Sequence, residues 1–354
     1  MNVFIPRVSK NYFILIFCVL ILFSACNKNK YYSHEGFTQG TTFHIKYEYS
    51  KNISKEIDSL LKQFSCDFSN YDSLSLISKI NRNETDSLNP LMEKMFKSAI
   101  EIANITDGAL DITIAPIANV WGFGWKGKND NFLPDSTLID SLMTYVGIEK
   151  IKIKNHKIIK SNPKIQIITN AIAQGLSSDY ISDYFTSLGI ENFLVEIGGE
   201  IFCKGMNPNQ KKWTIGIEKP VNSAEGNREN ELLIELSDKS IVTSGNYRKF
   251  FENGGKKYAH TINPKTGFPS ENSLISVSVI SNSAMLSDGL ATAFMVLGLK
   301  KSIKIVNSLS DVEAFFISID DNGNENIFYS ENFEQYIKKQ ELKIENQELR
   351  QKNS

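Results

Sequence analysis

Apolar residues recur along this chain at two periods, and the two alternate without a regular rhythm. Spacing of three and four, which puts side chains on one helix face, runs through Ile57, Leu60, Leu61 and Phe64 within residues 53–68. It recurs in Met92, Met95, Phe96, Ala99, Ile102 and Ala103 within 90–105. The same spacing predicts helices over 138–147, over 179–188 with Ile181, Tyr184, Phe185 and Leu188 inward, and over 300–307. In 283–298, Leu286, Leu290, Ala293, Phe294 and Leu297 keep the helical period and Gly298 ends it. Two-residue alternation predicts a strand after the Gly/Thr turn within 36–47, a hairpin over 150–160, and strands over 165–169, 192–197, 213–220, 232–236 and 240–242. An apolar strand over 312–319 closes on Asp320-Asp321-Asn322-Gly323, a hairpin turn. Residues 331–354 are polar, with Tyr336, Leu342, Ile344 and Leu349 too sparse to form a face, and read as a charged, solvated tail. Strands and helices mix without a βαβ rhythm, and no G-x-G-x-x-G follows a strand, which argues against a nucleotide-binding Rossmann domain.

At 354 residues with 41% hydrophobic and 22% charged residues the composition is that of an ordinary globular chain. The first 26 residues stand apart. Arg7 and Lys10 precede an apolar run over 12–23, too short for a comfortable membrane span, and Ser24 and Ala25 stand just before Cys26. This is a targeting leader, either a lipoprotein signal that leaves Cys26 as an acylated N-terminus or a plain cleaved signal. Without Arg7 and Lys10 the formal charge of −1 becomes −3, and a chain with no basic excess is not built for nucleic acid. The remaining cysteines, Cys66 and Cys203, are too few for a disulfide scaffold and too scattered for a metal cluster, and both read as small buried residues.

Two stretches carry candidate chemistry. From Thr243 to Pro269, hydroxyls (among them Thr243, Ser244 and Thr266), glycines (Gly245, Gly254, Gly255, Gly267), one imidazole (His260) and cations (among them Arg248, Lys256 and Lys257) crowd together. Glycine lets backbone N–H groups approach an anion, and hydroxyls and cations supply charge-assisted donors, so the mixture suits a bound phosphate. The same letters also read as a hairpin with a Gly-Gly turn. In the second stretch Asp288 and Thr292 stand four apart, which aims a carboxylate and a hydroxyl the same way. Hard oxygen ligands completed by substrate phosphates are how Mg²⁺ is usually held. A solvated aspartate and a threonine bonded to the previous turn is the plainer alternative.

Taken together the blocks resemble those of the ApbE family, the FAD:protein FMN transferases. Thr243-Ser244-Gly245-Asn246-Tyr247-Arg248, His260-Thr261-Ile262-Asn263-Pro264-Lys265-Thr266-Gly267-Phe268-Pro269, and Ser287-Asp288 with Thr292 follow its order. So do Ser69 to Asn81 around Tyr71, Thr106 to Pro116, Trp121-Gly122-Phe123-Gly124, and Asn170 to Tyr180. The resemblance covers about residues 36–328. It implies an α+β fold of two lobes, with a mainly antiparallel sheet, packed helices and FAD in the cleft between. It places a leader at 1–25, a tether at 26–34, the transferase domain at 35–330 and a tail at 331–354. It implies Mg²⁺ held by Asp288, Thr292 and the carbonyl of Ala171, and His260 as the group that takes the acceptor's proton. Gln39, Tyr71, Leu110, Asp111, Ile112, Gln174, Ser244, Gly245, His260 and Ile262 would line the FAD site, Tyr71 by stacking. Asp111 on its own reads either as a ribose partner or as a turn cap. Three positions depart from the family pattern: Gln39 stands for Met, Ile168 for Asp and Gln174 for Lys. The implied partners are FAD, an acceptor redox protein with a Thr or Ser hydroxyl, and the bacterial envelope membrane through lipid on Cys26. Hydrolysis of FAD to FMN and AMP, or flavin carriage without turnover, are the alternatives.

Overall fold

The structure, a computed structural model, describes residues 30–126, 133–220, 230–246, 250–253 and 256–338. The leader, Cys26, Arg248, Gly254, Gly255 and the last sixteen residues of the predicted tail lie outside the described residues. The described chain opens with a hairpin of β1 (Lys30–Thr38) and β2 (Thr41–Tyr49), paired from Lys30 against Tyr49 to Thr38 against Thr41. Its two-residue loop, Gln39 (φ 50) and Gly40 (φ 75), takes the left-handed conformation at both positions, as a type I′ turn requires. Helices α1 (Ser54–Phe68), α2 (Leu76–Asn81) and α3 (Pro90–Ile105) follow. The last starts on an Asn89 cap that accepts from the Met92 N–H, with proline in its first turn. Then come α4 (Ala115–Val120), α5 (Ser136–Met143), the hairpin β3 (Ile151–Lys154) and β4 (Lys157–Lys160), and α6 (Ala173–Ser187). Strands β5 (Phe193–Ile197), β6 (Glu200–Lys204), β7 (Trp213–Glu218), β8 (Asn230–Leu236), β9 (Lys239–Gly245), β10 (Phe250–Asn253), β11 (Lys256–Ala259) and β12 (Leu274–Ser281) lead into α7 (Ala284–Leu297). Helix α8 (Leu299–Val306), β13 (Glu313–Ile319) and β14 (Glu325–Tyr329) complete the fold.

Eight strands form one sheet in the order β1-β2-β5-β6-β9-β12-β13-β14, antiparallel at every pair. Both faces of its centre are covered, which is why β13 reads as a continuous apolar run rather than an alternation. Ala314 and Phe316 pack into the core beneath α3 and α7, while Phe315 and Ile317 join Trp213, Ile234 and Phe333 on the other face. A further core joins β2 and β5 to α1 and α6, and a smaller one gathers Trp121, Ile139, Ile168 and Ile262 around α4 and α5.

The structure corrects four readings of the sequence. The tether is shorter than 26–34, because Lys30 to His34 are already in β1 and His34 Nε2 meets Asp58 Oδ1 at 2.7 Å. The tail begins later than 331: Phe333 is fully buried against the ring of Phe315, and Ile337 bridges to Ile234. Residues 165–169 are irregular rather than a strand. Cys66 is exposed, since the buried face of α1 is Ile57, Leu61, Phe64 and Phe68, whereas Cys203 is buried and its thiol is pushed up to about 12 by desolvation. Both are free thiols.

Candidate functional site

The irregular segment after residue 164 is the seam on which the candidate site is built. Ile165, Ile167 and Ile172 point into the large core under the sheet, and Ile168 points into the smaller core with Trp121 and Ile262. Two buried asparagines do for this segment what a neighbouring strand would do. Asn81 accepts from the Ile167 N–H at 2.7 Å and donates to the Ile167 carbonyl, and Asn70 accepts from the Thr169 N–H. The segment's other side is stapled to the Asp111 loop, where the Ile168 N–H donates to the Ile112 carbonyl at 2.8 Å. Tyr71, two-thirds exposed, receives a hydrogen bond from the Asn170 amide on its hydroxyl, which ties its ring to the end of the seam and leaves much of its surface open.

At the end of the seam α6 begins, and α7 crosses its first turn. Gly175 allows the approach: a Cβ there would run into the Ala284 carbonyl and lie 2.8 Å from Asp288 Cβ. Ile172, at the start of α6, offers no side-chain cap. Asp288 of α7 supplies one, its Oδ2 accepting from the Gly175 N–H at 3.0 Å. In return Asp179 of α6 takes up the start of α7. Its Oδ1 accepts from the Ala284 N–H at 2.7 Å, and its Oδ2 accepts from the Ser283 hydroxyl at 2.6 Å and the Met285 N–H at 3.0 Å. Each helix is thus capped by a carboxylate of the other.

Asp288 is 5% exposed. Desolvation, then the nearby Glu200 carboxylate, raises its pKa well above the ordinary aspartate value. Its Oδ1 makes no hydrogen bond among the described residues, and Thr292, one turn further along α7, is only partly buried. Among the described residues no group of three or more His, Cys, Asp and Glu is arranged to hold a metal. The predicted set has one carboxylate, completed by a hydroxyl and a carbonyl. That donor chemistry fits a hard cation, and a cation would relieve the charge repulsion on Asp288. Glu200 also crowds with the Gln174 amide and the Thr41 methyl around the backbone of Gly198. At the hairpin tip beyond Thr41, Gln39 Nε2 is buried without a hydrogen-bond partner. This orphaned donor fits a ligand bearing acceptor oxygens or nitrogens.

His260 enters from the smaller core. The loop after it closes on itself: the Asn263 N–H donates to the Phe268 carbonyl, the Gly267 N–H to the Asn263 carbonyl, and the Ser270 N–H to the Thr261 carbonyl. Trp121 Nε1 donates to the Gly267 carbonyl at 2.8 Å, and the Phe123 ring stands edge-on to His260 at 6.4 Å. The Trp-Gly-Phe-Gly motif is therefore the floor under the histidine loop. Thr261 donates to Asn246 Oδ1, which ties the loop to the end of β9, where Ser244 and Gly245 are half-buried. An exposed Lys265–Asp107 ion pair joins the loop to the turn preceding Asp111.

The seam leads directly into the helix pair that carries Asp288, and through Ile168 and Ile262 it shares the smaller core with the histidine loop. The side chains of Leu110, Ile112 and Ile262 are in the cores, which leaves only their backbone groups for a ligand. Asp111 acts as a turn cap: Oδ1 accepts from the Thr113 N–H and hydroxyl, in a buried setting that raises the carboxyl's pKa. The sequence reading assigned no role to Asp179, Asn70 or Asn81, and gave Glu200 only its place in a turn. A buried acid one helical turn after Gly175 was the single available signal for Asp179.

The fold is of the α+β class, with the candidate groups distributed along a seam between two of its cores. A family model described as "ApbE family" matches residues 39–316, and the chain belongs to that family. A protein of Vibrio cholerae named "FAD:protein FMN transferase" is 35% identical over 330 residues, 90% of this chain and 97% of its own length. One of the same name from Haemophilus influenzae is 34% identical, covering 88% of this chain and 93% of its own length. Among solved structures, "Flavin Transferase ApbE from Vibrio cholerae" superposes with a TM-score of 0.78 at 33% identity, covering 87% of this chain and 99% of that one.

Proposed function

We propose that this chain transfers FMN from FAD to a Thr or Ser hydroxyl of a target protein, releasing AMP, with Mg²⁺ held by Asp288, Thr292 and the Ala171 carbonyl. The observation that carries the cation assignment is Asp288 itself: a buried carboxylate with one oxygen fixed by the Gly175 N–H and the other unengaged, beside a second acid. When bound, Mg²⁺ would neutralise the diphosphate and stabilise the charge that builds up as it splits. The acceptor oxygen attacks the phosphorus of the FMN half. A new P–O bond forms as the bond to the bridging oxygen breaks, and AMP leaves with that oxygen. The acceptor's proton passes to His260, an imidazole suited to the task near neutral pH. Tyr71 offers a face to a flavin or adenine ring, and Gln39 Nε2 a donor to its acceptor atoms. The test is to incubate the protein with FAD, MgCl₂ and candidate redox subunits, and to measure AMP together with the mass added to each subunit. AMP with covalent FMN, both lost in EDTA, is expected. AMP with free FMN alone would make water the acceptor, and no AMP under any condition would leave only flavin binding.

The leader belongs to the same proposal, with Cys26 bearing lipid and the enzyme on the outer side of a bacterial membrane. Cys26→Ser should move the protein from the membrane to the soluble fraction; equal partition of the two forms would rule out the anchor.

A further inference from the structure

We infer that Asp179 is a positioning residue for the cation site: by gripping the start of α7 it sets where Asp288 stands against the start of α6. The inference rests on the cation reading of Asp288 given above, and its starting point is the reciprocal capping of the two helices. Asp179 is 6% exposed and fully engaged, its two oxygens taking one hydroxyl and two backbone N–H donors from the first residues of α7. Ser283, whose hydroxyl donates to Asp179, also accepts from the Leu286 N–H, so one acid organises the whole first turn. Asp288 lies one turn beyond Ala284, on the side of α7 that meets Gly175.

This geometry asks more of Asp179 than an ordinary cap. An exposed cap needs only to satisfy a helix's first N–H groups, which water would otherwise do. Here the cap comes from the neighbouring helix, so it also fixes the rotation and axial position of α7 relative to α6. The Gly175 contact leaves no slack at the crossing. A cation shared between Asp288 and Thr292 on α7 and the Ala171 carbonyl before α6 has its ligands on both sides of that joint. Losing the Asp179 grip would let the two ligand sets drift apart while each remained intact. Asp179 would thus act on the cation only through its hold on the helix that carries Asp288.

The test compares wild type with Asp179→Asn, Asp179→Glu, Ser283→Ala and Asp288→Asn. For each, the rise in melting temperature with added MgCl₂ gives the concentration at half effect, and FAD affinity is measured in EDTA. Asp179→Asn is expected to raise the Mg²⁺ half-point by at least about tenfold, the usual cost of losing a group that orients a ligand, with FAD affinity in EDTA unchanged. Ser283→Ala, a milder loss that leaves both backbone donors in place, should shift it in the same direction by a smaller factor, which keeps the test open if Asp179→Asn fails to fold. Asp179→Glu should recover part of the shift. A lower metal-free melting temperature with a wild-type Mg²⁺ half-point in both Asp179→Asn and Ser283→Ala would make the acid a structural cap only and overturn the inference. A wild-type protein that shows no Mg²⁺ response, indistinguishable from Asp288→Asn, would overturn the cation reading and this inference with it.

Discussion

Asp288→Asn is expected to lower AMP release and FMN transfer by about 10³-fold, since a bound metal contributes several kcal/mol of charge stabilisation in the transition state and each 1.36 kcal/mol is tenfold in rate. The substitution keeps an oxygen that can accept from the Gly175 N–H, so the α6–α7 joint should survive. Stability separates loss of function from loss of fold. Burial and Glu200 raise the Asp288 pKa in the folded protein. In metal-free protein its contribution to stability is therefore fully present below the unfolded-state pKa and lost as pH rises through the raised folded value. Asparagine has no such loss, so metal-free Asp288→Asn should be at least as stable as wild type at neutral pH. Melting curves in EDTA at several pH values, beside an AMP assay in MgCl₂, check both halves. Wild-type turnover in the variant would remove Asp288 from the reaction.

His260→Ala should slow transfer by about 10²- to 10⁴-fold, the range for a lost acid–base group, while FAD binding in the absence of acceptor persists. Much of the loop's shape comes from its own backbone. Its backbone closes through Asn263, Gly267, Phe268 and Ser270, and Trp121 holds it from below. The variant is therefore expected to fold, and single-turnover AMP release with and without acceptor will report the chemical step. Unchanged transfer would mean that the acceptor's proton goes elsewhere.

What could be read in the letters was what depends on near neighbours. The helical period put Asp288 and Thr292 on one face of α7, and the dense run of small and polar residues marked the loop around His260. The ordered blocks carried the family. What could not be read depends on partners far along the chain. No spacing rule says that Asn81 will stand in for a strand beside Ile167, or that an acid in α6 will cap α7. Phe333 and Ile337 give too few apolar positions to betray burial, yet the open face of β7 and β8 needs them. Cys66 was misjudged because residue type was weighed above helical phase. Asp111, which carried two meanings in the sequence, caps Thr113 two residues on.

The early start of β1 has a consequence for where this enzyme can work. With Cys26 acylated, only Asn27, Lys28 and Asn29 separate the lipid from Lys30 in the edge strand. Even fully stretched, the four steps from Cys26 to Lys30 reach roughly 14 Å. If the proposed lipid is there, such a leash would hold the body at the bilayer, and the proteins it modifies would have to bring their hydroxyls down to that surface.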